Sequence, residues 1–170
     1  MDVERAFPLT LRHLGDTGPS ASSREEFVQA VCDAHPLSNI PHRAVRDLVH
    51  HESLLAELPP APTRRPGALP SEEEACRLGT HVRLLVFGAG LPEMIHSLRA
   101  GAPATPRPAR GWLILYQGSD GAPRERWVLR EAGWFVERFR EPTTPRDAIE
   151  DDEDRALFEA LWREGILVRA

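Results

Sequence analysis

An α+β fold, with a helical N-terminal lobe and a small C-terminal lobe holding a three-stranded antiparallel sheet, is what the 170-residue sequence predicts. Apolar residues recur at helical spacing as far as Leu58, a proline-rich stretch then breaks the pattern, and short β-prone runs with turn residues follow it.

In the first lobe Val3, Phe7, Leu11 and Leu14 fall three and four residues apart, and Pro8 either kinks their helix or marks its true start. Ser23 with Glu26 three residues on has the pattern of a capping box, and Phe27, Val28, Ala30 and Val31 give a second helix its apolar face as far as His35-Pro36. Pro41 opens a third, whose stripe of Ala44, Val45, Leu48, Leu55 and Leu58 runs for about five turns at 3.6 residues each. Residues 59–70, PPAPTRRPGALP, suit no regular element. They read as a stiff connector between a helical lobe over 1–58 and a second lobe over 71–170.

The second lobe opens with Ser71 and Glu74, again the spacing of a capped short helix. HVRLLVF, residues 81–87, is a strand too apolar for a solvated surface, and Pro92 begins another short helix. A second proline-rich connector, residues 101–110, leads to the run from Trp112 to Tyr116. Turn residues around Gly118 and Gly121 reverse the chain, and residues 124–130 return as a strand centred on Trp127, Val128 and Leu129. Three short helices follow: EAGWFVERFREP, then TTPRDAIE with Thr144 as cap and Pro145 at its first position, then EDDEDRALFEALWREG stopped by Gly165. A hairpin followed by three short helices is a winged-helix-like arrangement.

Composition excludes several classes of function. All 21 basic residues are arginine, so lysine Schiff-base chemistry and a phosphate-loop lysine are ruled out. The net charge of −5 opposes a nucleic-acid footprint, which needs a basic face. A mean hydropathy of −0.37, no apolar run near twenty residues and a start without signal-peptide order predict a cytoplasmic chain with no membrane partner. Cys32 and Cys76 have no metal-ligand or disulfide spacing and read as ordinary thiols.

The densest polar group is Asp47, His50, His51 and Glu52. Asp47 and His51 stand one helical turn apart, close enough to share a metal or a hydrogen bond, although a polar face opposite the leucine stripe accounts for them more simply. Gly88-Ala89-Gly90 lacks the third glycine of a dinucleotide loop, and the acids of residues 150–154 offset a helix dipole. Most of the aromatic content gathers late, in Trp127, Trp134, Phe135, Phe139, Phe158 and Trp162. Core packing takes some of these rings; a groove between a strand and the last helix would leave one or two to grip a peptide.

The order HVRLLVF, GWLILYQGSDG to RWVLRE, TTPRDAI and DRALFEALWREGILV resembles the recognition domain of ribosomal-peptide biosynthesis, of the pyrroloquinoline-quinone-pathway chaperone type. HPLSNIPHRAVRDLVHHESLLAELP, followed by HVRLLVFGAGLPEMIHSLRAGAP and GWLILYQ, is similar to the partner proteins of multinuclear non-haem iron peptide-modifying enzymes, the methanobactin-pathway and thiaglutamate-pathway partners among them. The resemblance covers the chain from about His35 onward.

The resemblance implies a non-catalytic subunit, paired as a heterodimer with an iron-dependent enzyme, that holds the leader of a precursor peptide in natural-product biosynthesis. Iron is expected in the partner enzyme and no cofactor in this chain. The peptide is expected to add as a strand beside Arg126, Trp127, Val128, Leu129 and Arg130, against a last-helix face of Arg155, Phe158, Leu161 and Trp162. Arg126 and Arg130, on alternate positions of one strand face, would meet acidic leader residues, and Asp47, His50 and His51 are expected at the enzyme interface. Two other readings stay open: a winged-helix DNA-binding transcription regulator, which the acids of PRDAIE and EDDED disfavour, and an enzyme built on the Asp47 to Glu52 cluster.

Overall fold

A computed structural model describes residues 2–61, 67–118 and 120–170. Helices occupy the N-terminal part, and a three-stranded antiparallel sheet lies in the C-terminal part. The chain divides into two compact units, Met1–Glu57 with Leu85–Gly111 and Leu58–Leu84 with Trp112–Ala170. This differs from the expected contiguous lobes over 1–58 and 71–170, because residues 85–111 belong with the N-terminal helices. Of the expected connector, residues 62–66 lie outside the described residues.

The first unit holds α1 (Val3–Ala6), α2 (Pro8–Leu14), α3 (Arg24–Ala34), α4 (Ile40–Ala56) and α5 (Leu91–Arg99). Pro8 starts a new helix instead of kinking one, since its missing N–H is spared at the first position. Ser23 caps α3 by accepting from the Glu26 N–H at 3.1 Å. The Glu26 carboxylate reaches past it, accepting from the Ser22 N–H at 2.8 Å and the Ser22 hydroxyl at 2.6 Å. Asn39 caps α4 by accepting from the His42 N–H at 2.9 Å. Phe7, Phe27, Val31, Val45 and Val49 make the core, with the rings of Phe7 and Phe27 4.8 Å apart.

Buried Glu52 ties α4 to α2. Its carboxylate accepts from the N–H groups of Leu9 at 2.7 Å and Thr10 at 2.9 Å, and from the Thr10 hydroxyl at 2.7 Å. Phe7, at the cap position of α2, offers no side-chain bond, so Glu52 supplies the acceptor that the helix start needs.

The second unit is built on a sheet of order β2-β3-β4, from β2 (Val82–Phe87), β3 (Gly111–Gln117) and β4 (Pro123–Val128), with the ends of β2 and β3 in the first unit. β1 (Cys76–Leu78) pairs with β5 (Leu167–Arg169), and α6 (Arg130–Glu137), α7 (Pro145–Ala148) and α8 (Asp152–Arg163) complete it. Ile114 and Tyr116 of β3 pack on Phe135, Phe139, Phe158, Leu161 and Trp162, all buried. Gly133 lets α6 close on Trp112, since a Cβ there would stand 2.0 Å from the indole ring.

Three local expectations are corrected. Residues 71–74 form a turn, not a helix, because the chain must reach Cys76, which bridges Thr143 on one side and pairs Arg169 on the other. The acids there tie separate elements together: Glu72 pairs with Arg155, Glu73 with Arg146 and Glu74 with Arg169. β2 is less enclosed than its apolarity suggests, with Val86 55% exposed. β4 ends at Val128, where Leu129 becomes the cap residue of α6 and Arg130 its first helical residue.

Candidate functional site

β4 stands last in the sheet order, so among the described residues its outer edge has no strand neighbour. In the register with β3, Trp112 opposes Val128, Ile114 opposes Arg126 and Tyr116 opposes Arg124. Arg124, Arg126 and Val128 therefore share the sheet face of Ile114 and Tyr116, and Glu125 and Trp127 lie on the opposite face.

Between β4 and the end of α8, Glu164 gathers two donors. Arg126 forms an ion pair with its carboxylate, and the Tyr116 hydroxyl donates to it at 2.6 Å. Burial, and then the bond to Glu164, push the Tyr116 pKa up to about 12. Arg124 pairs with Asp120 at 3.0 Å near the hairpin turn. Leu157 packs half-buried on the same core as Val128, and on α8 Ala160 falls between Leu157 and Glu164 at helical spacing. At the far end of β4, Leu129 is 77% exposed and Trp134 56% exposed, the latter edge-on to Trp112 at 5.8 Å. The site is thus an open strand edge, with charge at its start and apolar surface at its end.

The expected peptide-binding residues divide. Arg126, Trp127 and Val128 lie on the edge strand, and Leu129 just beyond it. Arg130 sits in α6 and does not alternate with Arg126 on a strand face. Phe158, Leu161 and Trp162 are 3%, 0% and 3% exposed, so they are core residues and not the lining of a groove. The Trp162 indole N–H donates to the Gly67 carbonyl at 3.2 Å, and the Arg169 guanidinium lies 5.2 Å from the ring centre. Arg155 is exposed but pairs with Glu72 at 2.8 Å. The sequence carries little sign of the contact between Glu164 and Tyr116 beyond the spacing by which Glu164 follows Leu157 by two helical turns, just before the stop at Gly165.

The α4 cluster turns out to be engaged in holding the first unit together. Asp47 accepts from the Gly88 N–H at 2.9 Å, and burial raises its pKa. His50 Nε2 lies 3.7 Å from the Cys32 sulfur, and burial lowers the His50 pKa. His51 is fully buried, next to Glu52. Asp47, His50 and Glu52 each have a partner within the first unit.

No known family model matches the chain, and no curated protein matches it closely enough to be a relative.

Proposed function

We propose that this chain is a non-catalytic recognition subunit that takes a precursor peptide as an added strand on the outer edge of β4 and presents it to an iron-dependent oxidative modifying enzyme. The observation that carries this reading is the open β4 edge running into the exposed Leu129 and Trp134. A sheet edge with no further strand beside it is where an extended peptide can add through main-chain hydrogen bonds, and adjacent apolar surface selects the side chains of the added strand. Exposed large apolar side chains close to such an edge, Leu129 just past β4 and Trp134 on α6, are suited to anchor a bound peptide. In this reading the iron belongs to the partner enzyme, and this chain contributes binding and position only.

Charge disfavours the DNA-binding alternative. The last helix begins with Asp151, Asp152, Glu153 and Asp154, which would meet phosphate with repulsion, and the net charge is −5.

The test is co-expression with an iron-dependent peptide-modifying enzyme and its precursor peptide, followed by size-exclusion chromatography and mass spectrometry of the peptide. Co-elution of the three, with peptide modification lost when this chain is omitted, is the expected result. Modification that proceeds equally well without the chain overturns the proposal.

A further inference from the structure

We propose that His35 and His42 form a two-imidazole site for a divalent transition-metal ion in the first unit, independent of the β4 edge. His35 ends α3 and His42 lies in the first turn of α4, with their ring centres 5.2 Å apart and their planes crossing at 81°. Two imidazoles that share one tetrahedral zinc at Zn–N distances of about 2.0–2.1 Å hold their ring centres about 5 Å apart. The observed separation of the ring centres matches that spacing.

Two further observations favour a ligand there. Nδ1 of His35 and Nδ1 of His42 are both buried without a hydrogen-bond partner, a condition that native structures normally avoid. The loop that joins the helices is also pinned: Asn39 accepts from the His42 N–H at 2.9 Å, Ser38 N–H donates to the Pro36 carbonyl at 2.8 Å, and Arg43 Nε donates to the Leu37 carbonyl at 3.2 Å. Such a loop holds the backbone at the ends of α3 and α4 in place, which lowers the entropic cost of closing the site.

Among the described residues no three His, Cys, Asp or Glu side chains form a ready cage. The pair therefore supplies two ligands and water completes the shell, as in open rather than closed zinc sites. His13, at the end of α2, lies near enough for its charge to act on His35 and is the third imidazole in this neighbourhood. Imidazole ligands select copper, nickel and zinc over calcium and magnesium, which prefer oxygen.

The experiment titrates Zn2+ into the untagged 170-residue chain by calorimetry, with Mg2+ as the control ion. One zinc per chain is expected, with His35→Gln and His42→Gln each weakening it by more than about tenfold, the scale seen when even an outer partner of a metal ligand is removed. His96→Gln, at an exposed position on α5, should change nothing. Circular dichroism of each variant separates loss of a ligand from loss of fold. Absence of zinc binding, or binding that survives in the folded His35→Gln/His42→Gln double variant, overturns the proposal; the β4 reading stands or falls separately.

Discussion

Arg126 on β4 and Glu164 at the end of α8 are joined by an ion pair, and the Tyr116 hydroxyl completes it from β3. Three elements of the second unit thus meet at one carboxylate. Its two charged side chains are 32% and 30% exposed, so solvent screens part of their attraction. Glu164→Gln should destabilise the unit by about 1 kcal/mol, the ordinary scale of a partly exposed charged hydrogen bond. It should also bring the Tyr116 pKa down from about 12 toward the usual 10, which ultraviolet titration reads cleanly because the chain has a single tyrosine. An unchanged tyrosine titration would show that burial alone sets its value.

Substitutions on the two sides of the β4 region should behave oppositely. Trp162→Ala removes a ring that is 3% exposed and should cost about 3–5 kcal/mol, melting the unit and not merely its binding. Leu129→Ser and Trp134→Ser alter exposed side chains and should shift stability by less than about 0.5 kcal/mol, while abolishing capture of the precursor peptide. Thermal melts beside fluorescence-polarisation binding of the labelled precursor check both halves. Full peptide binding in the folded double variant Leu129→Ser/Trp134→Ser would remove the apolar end of the site.

What the sequence made legible was local. The Ser23 and Thr144 caps, Pro145 at a helix start and Gly165 beyond the last helix follow from backbone needs within a few residues. The β3–β4 hairpin was equally plain, because turn residues and β-prone runs are adjacent. The site's chemistry was not, since Glu164 lies 38 residues from Arg126 and 48 from Tyr116. Periodicity placed Phe158 and Trp162 on one helical face but could not say that this face points into the core. The cap at Leu129 was hidden too, because its extended backbone, φ −67° and ψ 168°, continues the direction of β4 while ending its pairing. The joining of residues 85–111 to the N-terminal helices depends on contacts that no local pattern encodes.

Glu52 lies 43 residues from Leu9, yet it caps α2 as a neighbouring side chain would. Glu52→Ala should leave the N–H groups of Leu9 and Thr10 buried and unsatisfied, at about 1–3 kcal/mol. Hydrogen exchange over residues 8–14 should rise first, because α2 is where the acceptor is lost. Burial, its largest influence, raises the Glu52 pKa against the hydrogen bonds that lower it. The protonated form is therefore favoured by folding, and its contribution is present below the ordinary glutamate range and lost as pH rises through the raised value. Glu52→Gln should flatten that part of the pH dependence, and an unaltered slope would place its origin elsewhere.

His81 gives the second unit the opposite dependence. It is 2% exposed, and burial lowers its pKa from the ordinary 6.5, outweighing the bond with the Gly165 backbone that raises it. Folding favours the neutral ring, so the stabilisation is complete above the ordinary value and is lost as pH falls through the lowered one. All four tryptophans, Trp112, Trp127, Trp134 and Trp162, belong to this unit, so tryptophan fluorescence reports on its melting. The fluorescence midpoint should fall on moving from neutral to mildly acidic solution, and His81→Gln should reduce that fall although it lowers the midpoint at neutral pH. Equal acid sensitivity in both proteins would locate the titrating group outside His81.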